Sequence, residues 1–110
     1  MLSPFFFSHA PIFASGLRVL QNLHITTPNA YLNHVERPER FIKIVKQNDN
    51  IKLWFSAHNH LGQNYEDSIV ETCGCVFAHV GTMAKITRDG THQGRLLRFD
   101  ESGFELLTVD

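Results

Sequence analysis

Residues 51–60, Ile51-Lys52-Leu53-Trp54-Phe55-Ser56-Ala57-His58-Asn59-His60, decide how the rest of the chain is read. Ile51, Leu53 and Phe55 alternate with Lys52, Trp54 and Ser56, the period of a strand, and two histidines follow at its C-terminal end. Upstream, Asn48-Asp49-Asn50 breaks a segment of a different period, in which Phe41, Ile42, Ile44 and Val45 gather on one face behind Pro38. This predicts a helix from about Pro38 to Gln47. Earlier still, Phe5-Phe6-Phe7 reads as a buried strand that ends at Ser8-His9-Ala10-Pro11. The order is strand, helix, strand. A crossover of that kind sets the two strands parallel in one sheet, with their exit loops on the same side.

Outside this unit the signals are shorter. Residues 11–33 hold no sustained period and include Ser15-Gly16 and Thr26-Thr27-Pro28-Asn29, so a long irregular excursion is expected, of a kind that is commonly functional. Beyond the second strand, Cys75 to Val80, Gly94 to Phe99 and Phe104 to Val109 are β-like stretches, separated by Arg88-Asp89-Gly90 and Asp100-Glu101-Ser102-Gly103. This tail is expected to be antiparallel. The fold class is α/β, with α+β as the alternative. No repeat or linker divides residues 1–110, which make one domain or part of one.

Composition narrows the function classes. Hydrophobic residues are 43% and charged residues 19% of the chain, a globular balance rather than a disordered one. The formal net charge of −1 gives no electrostatic footprint for nucleic acid or an anionic membrane. Phe5 to Phe7 is too short to span a bilayer and lacks the basic flank of a signal peptide, so a cytoplasmic location is expected. Cys73 and Cys75, one glycine apart, are too close for an ordinary disulfide and too few for a cysteine-built zinc site; two reduced thiols in a turn are expected. Phe5, Phe6, Phe7, Trp54 and Phe55 read as core packing, since no basic residues interleave with them for base stacking.

The chemistry sits at the strand ends. His9 follows the first strand, and His58 and His60 follow the second. Parallel neighbours deliver their loops to one rim, and imidazole is a ligand suited to Zn, Fe and Mn-type sites, so a metal site built from these three histidines is expected. Ala57, a small residue, precedes the pair where the backbone must turn tightly. His24, His34, His79 and His92 are assigned no site role.

Phe5-Phe6-Phe7-Ser8-His9-Ala10-Pro11 and Leu53-Trp54-Phe55-Ser56-Ala57-His58-Asn59-His60 resemble two sequence blocks of the calcineurin-like metallophosphoesterases. One block is a strand ending in a histidine followed by proline, and the other is Gly-His-x-His. Ser15-Gly16-Leu17-Arg18-Val19-Leu20 and Tyr65-Glu66-Asp67-Ser68-Ile69 also look like a bacterial branch of that family. The resemblance implies a partial phosphoesterase sandwich and hydrolysis of phosphomono- or phosphodiesters. Two divalent ions (Mn, Fe or Zn) would bind, with His9 and His58 on one and His60 on the other, and Arg18 and Tyr65 near the phosphate.

Two departures matter. Ala57 stands where the family has glycine, and an alanine that does not adopt a positive φ there would misplace both imidazoles. The family's carboxylates and amide come from three earlier blocks, an Asp-x-His, a Gly-Asp and a Gly-Asn-His, and this sequence contains none of them; no Asp precedes Asp49. The chain therefore reads as the C-terminal half of such a domain, inactive alone, which an N-terminal half or complementing chain would complete. Three neutral imidazoles by themselves are expected to hold metal poorly. Self-association through an uncovered first strand is a further expectation. Two alternatives stand beside this reading: a non-catalytic remnant or protein-interaction module, and a mononuclear zinc site made of His9, His58, His60 and water.

Overall fold

The computed structural model describes residues 3–17, 28, 34–59, 68–81 and 92–109. Phe5–Ser8 forms β1, Pro38–Gln47 forms α1 and Leu53–Ser56 forms β2, with β1 and β2 parallel neighbours as the strand-helix-strand order requires. Pro38 occupies the first turn of α1, where its missing N–H costs no helical bond. At the other end the Asn48 backbone N–H donates to the Val45 carbonyl and its side-chain amide to the Ile44 carbonyl, closing the helix.

The rest of the chain completes a small mixed α/β fold. Ile69–Thr72 forms β3 and Cys75–His79 forms β4, giving a four-stranded sheet in the order β1-β2-β4-β3. Gly94–Asp100 and Gly103–Val109, β5 and β6, pair as a separate antiparallel hairpin. The antiparallel tail expected from sequence holds for β5 and β6 but not for Cys75–His79, which runs parallel to β2 and pairs antiparallel only with β3. The reason is burial on both sides. Cys75 and Phe77 enter the core beneath α1, whereas Ala78 is buried on the opposite face with Val76 packed against it, and an interior strand of this kind reads as an apolar run without direction.

The four-stranded sheet is thus the middle of three layers. On one face α1 and the segment after β1 contribute Ile12, Leu17, Ile42 and Val45 against Trp54, Cys75 and Phe77. On the other, Leu97, Phe104 and Leu106 of the hairpin pack over Leu53, Phe55 and Ala78. Full burial of each large apolar side chain contributes about 1.5–3 kcal/mol, so both faces are needed to stabilise so short a sheet. The aromatic residues are core and sheet elements: Phe6 stacks on Trp54 at 4.8 Å and Phe7 on Phe55 at 5.1 Å, directly across the β1–β2 pairing.

The residues between β1 and α1 are less irregular than expected where they are described. Phe13–Ser15 makes one 3-10 turn, Ile12 and Leu17 are buried, and Gly16 takes a left-handed φ of 89°. A Cβ on Gly16 would stand 3.1 Å from a methyl of Val70, so both backbone freedom and space favour glycine there. At the β3–β4 turn, Cys73 and Gly74 both have positive φ (55° and 77°), the signature of a two-residue hairpin loop that matches strand twist. Both thiols are free; Cys73 is exposed and Cys75 fully buried.

Burial pushes the Cys75 thiol from about 9 up to about 11, with the Lys52 charge opposing part of the rise. An unfolded thiol ionises first, so the stability this burial supports is intact below about pH 9 and falls as pH rises from about 9 to about 11. At pH 8, iodoacetamide labels Cys73 in the folded protein and reaches Cys75 only after denaturant is added. Labelling of both thiols at equal rates in the native state would contradict this packing. In urea unfolding, Phe77→Ala lowers stability by about 3–5 kcal/mol, whereas Ile44→Ala, at a half-exposed helix position, stays within about 0.5 kcal/mol.

Candidate metal centre

The site begins with register. Ser8 lies opposite Ser56, and the ladder continues one step past the strands, the Ala57 N–H donating to the His9 carbonyl at 2.9 Å. On the other side of β2, the Val80 N–H donates to the Ser56 carbonyl at 2.7 Å, so β1, β2 and β4 end at one level. The exit of β1 is pinned further. Trp54 Nε1–H donates to Ser8 Oγ at 3.0 Å, and Ser8 Oγ–H donates to the Ala10 carbonyl at 2.9 Å.

The chain then turns at His58. Its φ is 72°, and the Asn59 N–H donates to the Ala57 carbonyl at 2.9 Å, closing a three-residue γ-turn centred on His58. The left-handed backbone therefore falls at His58 and not at Ala57. The physical reason is the ladder bond from Ala57 to His9, which ties Ala57 to β1 and leaves the reversal to the next residue. A non-glycine residue in this region costs about 1–3 kcal/mol, so the histidine carries the strain while Ala57 stays out of the left-handed region.

That turn brings two imidazoles together. His58 Nδ1 lies 3.0 Å from His9 Nε2, with ring centroids 5.0 Å apart and planes at 77°. One of the two nitrogens carries the hydrogen and donates, and the other accepts through its lone pair. Two nitrogens bound to a single ion at about 2.0–2.1 Å stand roughly 2.9–3.4 Å apart for bond angles between right and tetrahedral. The observed spacing is that of two cis ligands. His9 is exposed and His58 half-buried, so the pair is open to an entering ion.

Of the other residues singled out by sequence, His60, Arg18, Tyr65 and His24 lie outside the described residues. Among the described residues no group of three or more His, Cys, Asp or Glu side chains is gathered in a way that could hold a metal ion. His34 places Nδ1 3.0 Å from the Val35 carbonyl, His92 is exposed, and His79 is fully buried in β4; none is grouped with the pair. No helix among the described residues is long and apolar enough to cross a membrane.

Two features were missed in the sequence. Asn59 is fully buried, and among the described residues neither its amide nitrogen nor its amide oxygen has a hydrogen-bond partner. The second is a cleft of ≈ 460 Å³ on the hairpin side, lined by Phe7, Ser8, His9, Phe55, Ser56, Ala57, Val80, Arg95 and Leu97. Arg95 is held there by donating from Nε to the His79 carbonyl (3.2 Å), from one terminal nitrogen to Thr108 Oγ1 (2.6 Å) and from the other to Ser68 Oγ (3.2 Å). Period two was the available signal, since Arg95 shares a strand face with Leu97, which packs on the sheet.

No protein-family model, curated protein or solved structure matches this chain. The γ-turn makes its own prediction. His58→Gly is more stable than His58→Ala by about 1 kcal/mol in urea or thermal unfolding, because only glycine adopts the left-handed backbone without penalty. Equal stabilities would mean that this backbone geometry is absent.

Proposed function

We propose that this chain supplies the imidazole ligands of a dinuclear metal-dependent phosphoesterase centre, of the calcineurin-like type that its strand-end motifs resemble. The observation that supports this best is the 3.0 Å approach of His9 Nε2 and His58 Nδ1 at the ends of neighbouring parallel strands. In this reading His9 and His58 hold one ion (Mn, Fe or Zn), and His60 binds the second. When bound, two such cations supply an activated hydroxide and neutralise charge on a phosphomono- or phosphodiester during in-line displacement. Each imidazole must then turn a lone pair inward, so the hydrogen now between the rings moves to an outer ring nitrogen.

The donor set also defines what the chain lacks. Neutral histidines bring no negative charge to offset two divalent cations, and hard ions of this group prefer carboxylate oxygen among their ligands. Carboxylates from residues outside this sequence complete the centre, so the chain alone is inactive. A second reading, a non-catalytic remnant acting as a protein-interaction module, draws support from the position of β1 at the sheet edge with Phe7 72% exposed.

Manganese or zinc titration, followed through the histidine ring signals by NMR, moves His9 and His58 together. His9→Ala or His58→Ala weakens the ion by about tenfold or more. Nitrophenyl phosphate is hydrolysed with manganese only when a polypeptide carrying Asp-x-His, Gly-Asp and Gly-Asn-His segments is added, and His58→Ala abolishes that turnover. Undiminished metal binding and turnover in His58→Ala would overturn the proposal in favour of the interaction module.

A further inference from the structure

The floor of the cleft beside His9 is built by strand register. Phe7 pairs with Phe55, and one step beyond the paired serines Ser8 and Ser56 the ladder sets Ala57 between His9 and Val80. Side chains two apart on a strand share a face, so the row of Phe7 and Phe55 and the row of His9, Ala57 and Val80 lie next to each other on the hairpin side of the sheet. Leu97 of β5 borders the same hollow, whose volume is ≈ 460 Å³. Ala57 gives it depth, since a single methyl group stands there between the larger side chains of His9 and Val80.

We propose that this cleft is a pocket for a flat aryl group, and that the substrate is an aryl phosphoester whose phosphate meets the ion held by His9 and His58; the second part rests on the metal reading above. The volume falls in the range of about 300–1,000 Å³ usual for small-molecule pockets. The lining selects the occupant. The Phe7 and Phe55 rings are stacked, with centroids 5.1 Å and planes 13° apart, and a further ring packs on such a pair offset or edge-on. Ala57, Val80 and Leu97 present only hydrocarbon, against which the hydroxyls of a sugar or polyol would be buried unpaired, whereas an aryl group loses no hydrogen bond there. The spacing fits an ester. His9 and Phe7 are two residues apart, about 6.6 Å along the strand, which is the reach of a two-ring aryl ester from its phosphorus to its outer ring.

The test follows methyl and histidine ring signals of the whole chain by NMR during titration with naphthol, naphthyl phosphate and glycerol phosphate. Naphthol alone, without metal, shifts the Val80 and Leu97 methyl signals to saturation. Ala57→Leu, which fills the hollow, weakens that binding about tenfold or more, and Leu97→Ala, at a half-buried hairpin position, weakens it about fivefold. Should Ala57→Leu fail to fold, Leu97→Ala carries the comparison. Naphthol shifts that are absent, or equal in the original chain and in every folded variant, overturn the pocket whatever zinc does. With zinc, naphthyl phosphate binds about tenfold more tightly than without it, and about tenfold more tightly than glycerol phosphate with zinc. If zinc moves the His9 and His58 ring signals but naphthyl phosphate binds no more tightly than glycerol phosphate, the aryl-ester substrate is overturned and the metal reading stands. If zinc leaves both rings unmoved while naphthol still binds, the metal reading and the ester assignment fall, and an arene pocket remains.

Discussion

Parallel, in-register pairing of β1 with β2 is the constraint on which the rest of this structure depends. Four residue pairs, Phe5↔Leu53 to Ser8↔Ser56, fix which side chains face α1 and which face the hairpin. A slip of one residue would move His9 by about 3.3 Å along the strand and turn every β1 side chain to the opposite face. The stacks of Phe6 on Trp54 and Phe7 on Phe55 oppose such a slip, because each ring finds its neighbour only in the observed register. The bond from Ala57 to the His9 carbonyl carries the same register beyond the sheet, so the imidazole contact is an extension of the ladder rather than a property of two loops.

Layering explains why the histidine pair is accessible. β2 and β4 are interior strands buried on both faces, and between them they hold Leu53, Phe55, Ala78 and Phe77. β1 shares their faces but stands at the margin, so Phe6 finds Trp54 whereas Phe7 is covered on one side only. The hairpin reaches β1 through Phe99 and Phe104, both edge-on to Phe5 at the N-terminal end of the strand. Its cover stops short of the C-terminal end, and the gap that remains is the cleft beside His9. Openness of the site and the marginal position of β1 among the described strands are one fact of the fold.

Much of this was legible in the sequence, and the limits were physical. The helix Pro38–Gln47 and the strands β1 and β2 carry clean periods and clear stops, so they were read nearly to the residue. The convergence of His9 with His58 followed from strand order alone. The place of β4 did not, because a strand buried on both faces shows no alternation to say which neighbour it pairs with. β3, a four-residue edge strand with alternating exposure, offered too short a pattern beside the turn at Cys73-Gly74. The positive φ at His58 was beyond sequence reasoning, since it depends on a hydrogen bond between residues 48 positions apart in the chain. Arg95 was overlooked because a charged residue on a hairpin strand is ordinarily solvated, and here its partners lie in β6, in β4 and just before β3.

The turn after β2 concentrates unfavourable terms that the preceding strand must offset. A left-handed His58 costs about 1–3 kcal/mol, and a fully buried Asn59 amide without a described partner adds about 1–3 kcal/mol more. Immediately before them, Leu53, Trp54 and Phe55 are each at least 95% buried and contribute about 1.5–3 kcal/mol apiece, enough to hold the turn in its strained form. A surface strand with one buried side chain would not outweigh the same turn, and the backbone would relax to an ordinary conformation that carries His58 away from His9. The central position of β2, rather than any contact made by the imidazoles themselves, is therefore what keeps two histidine nitrogens at ligand spacing.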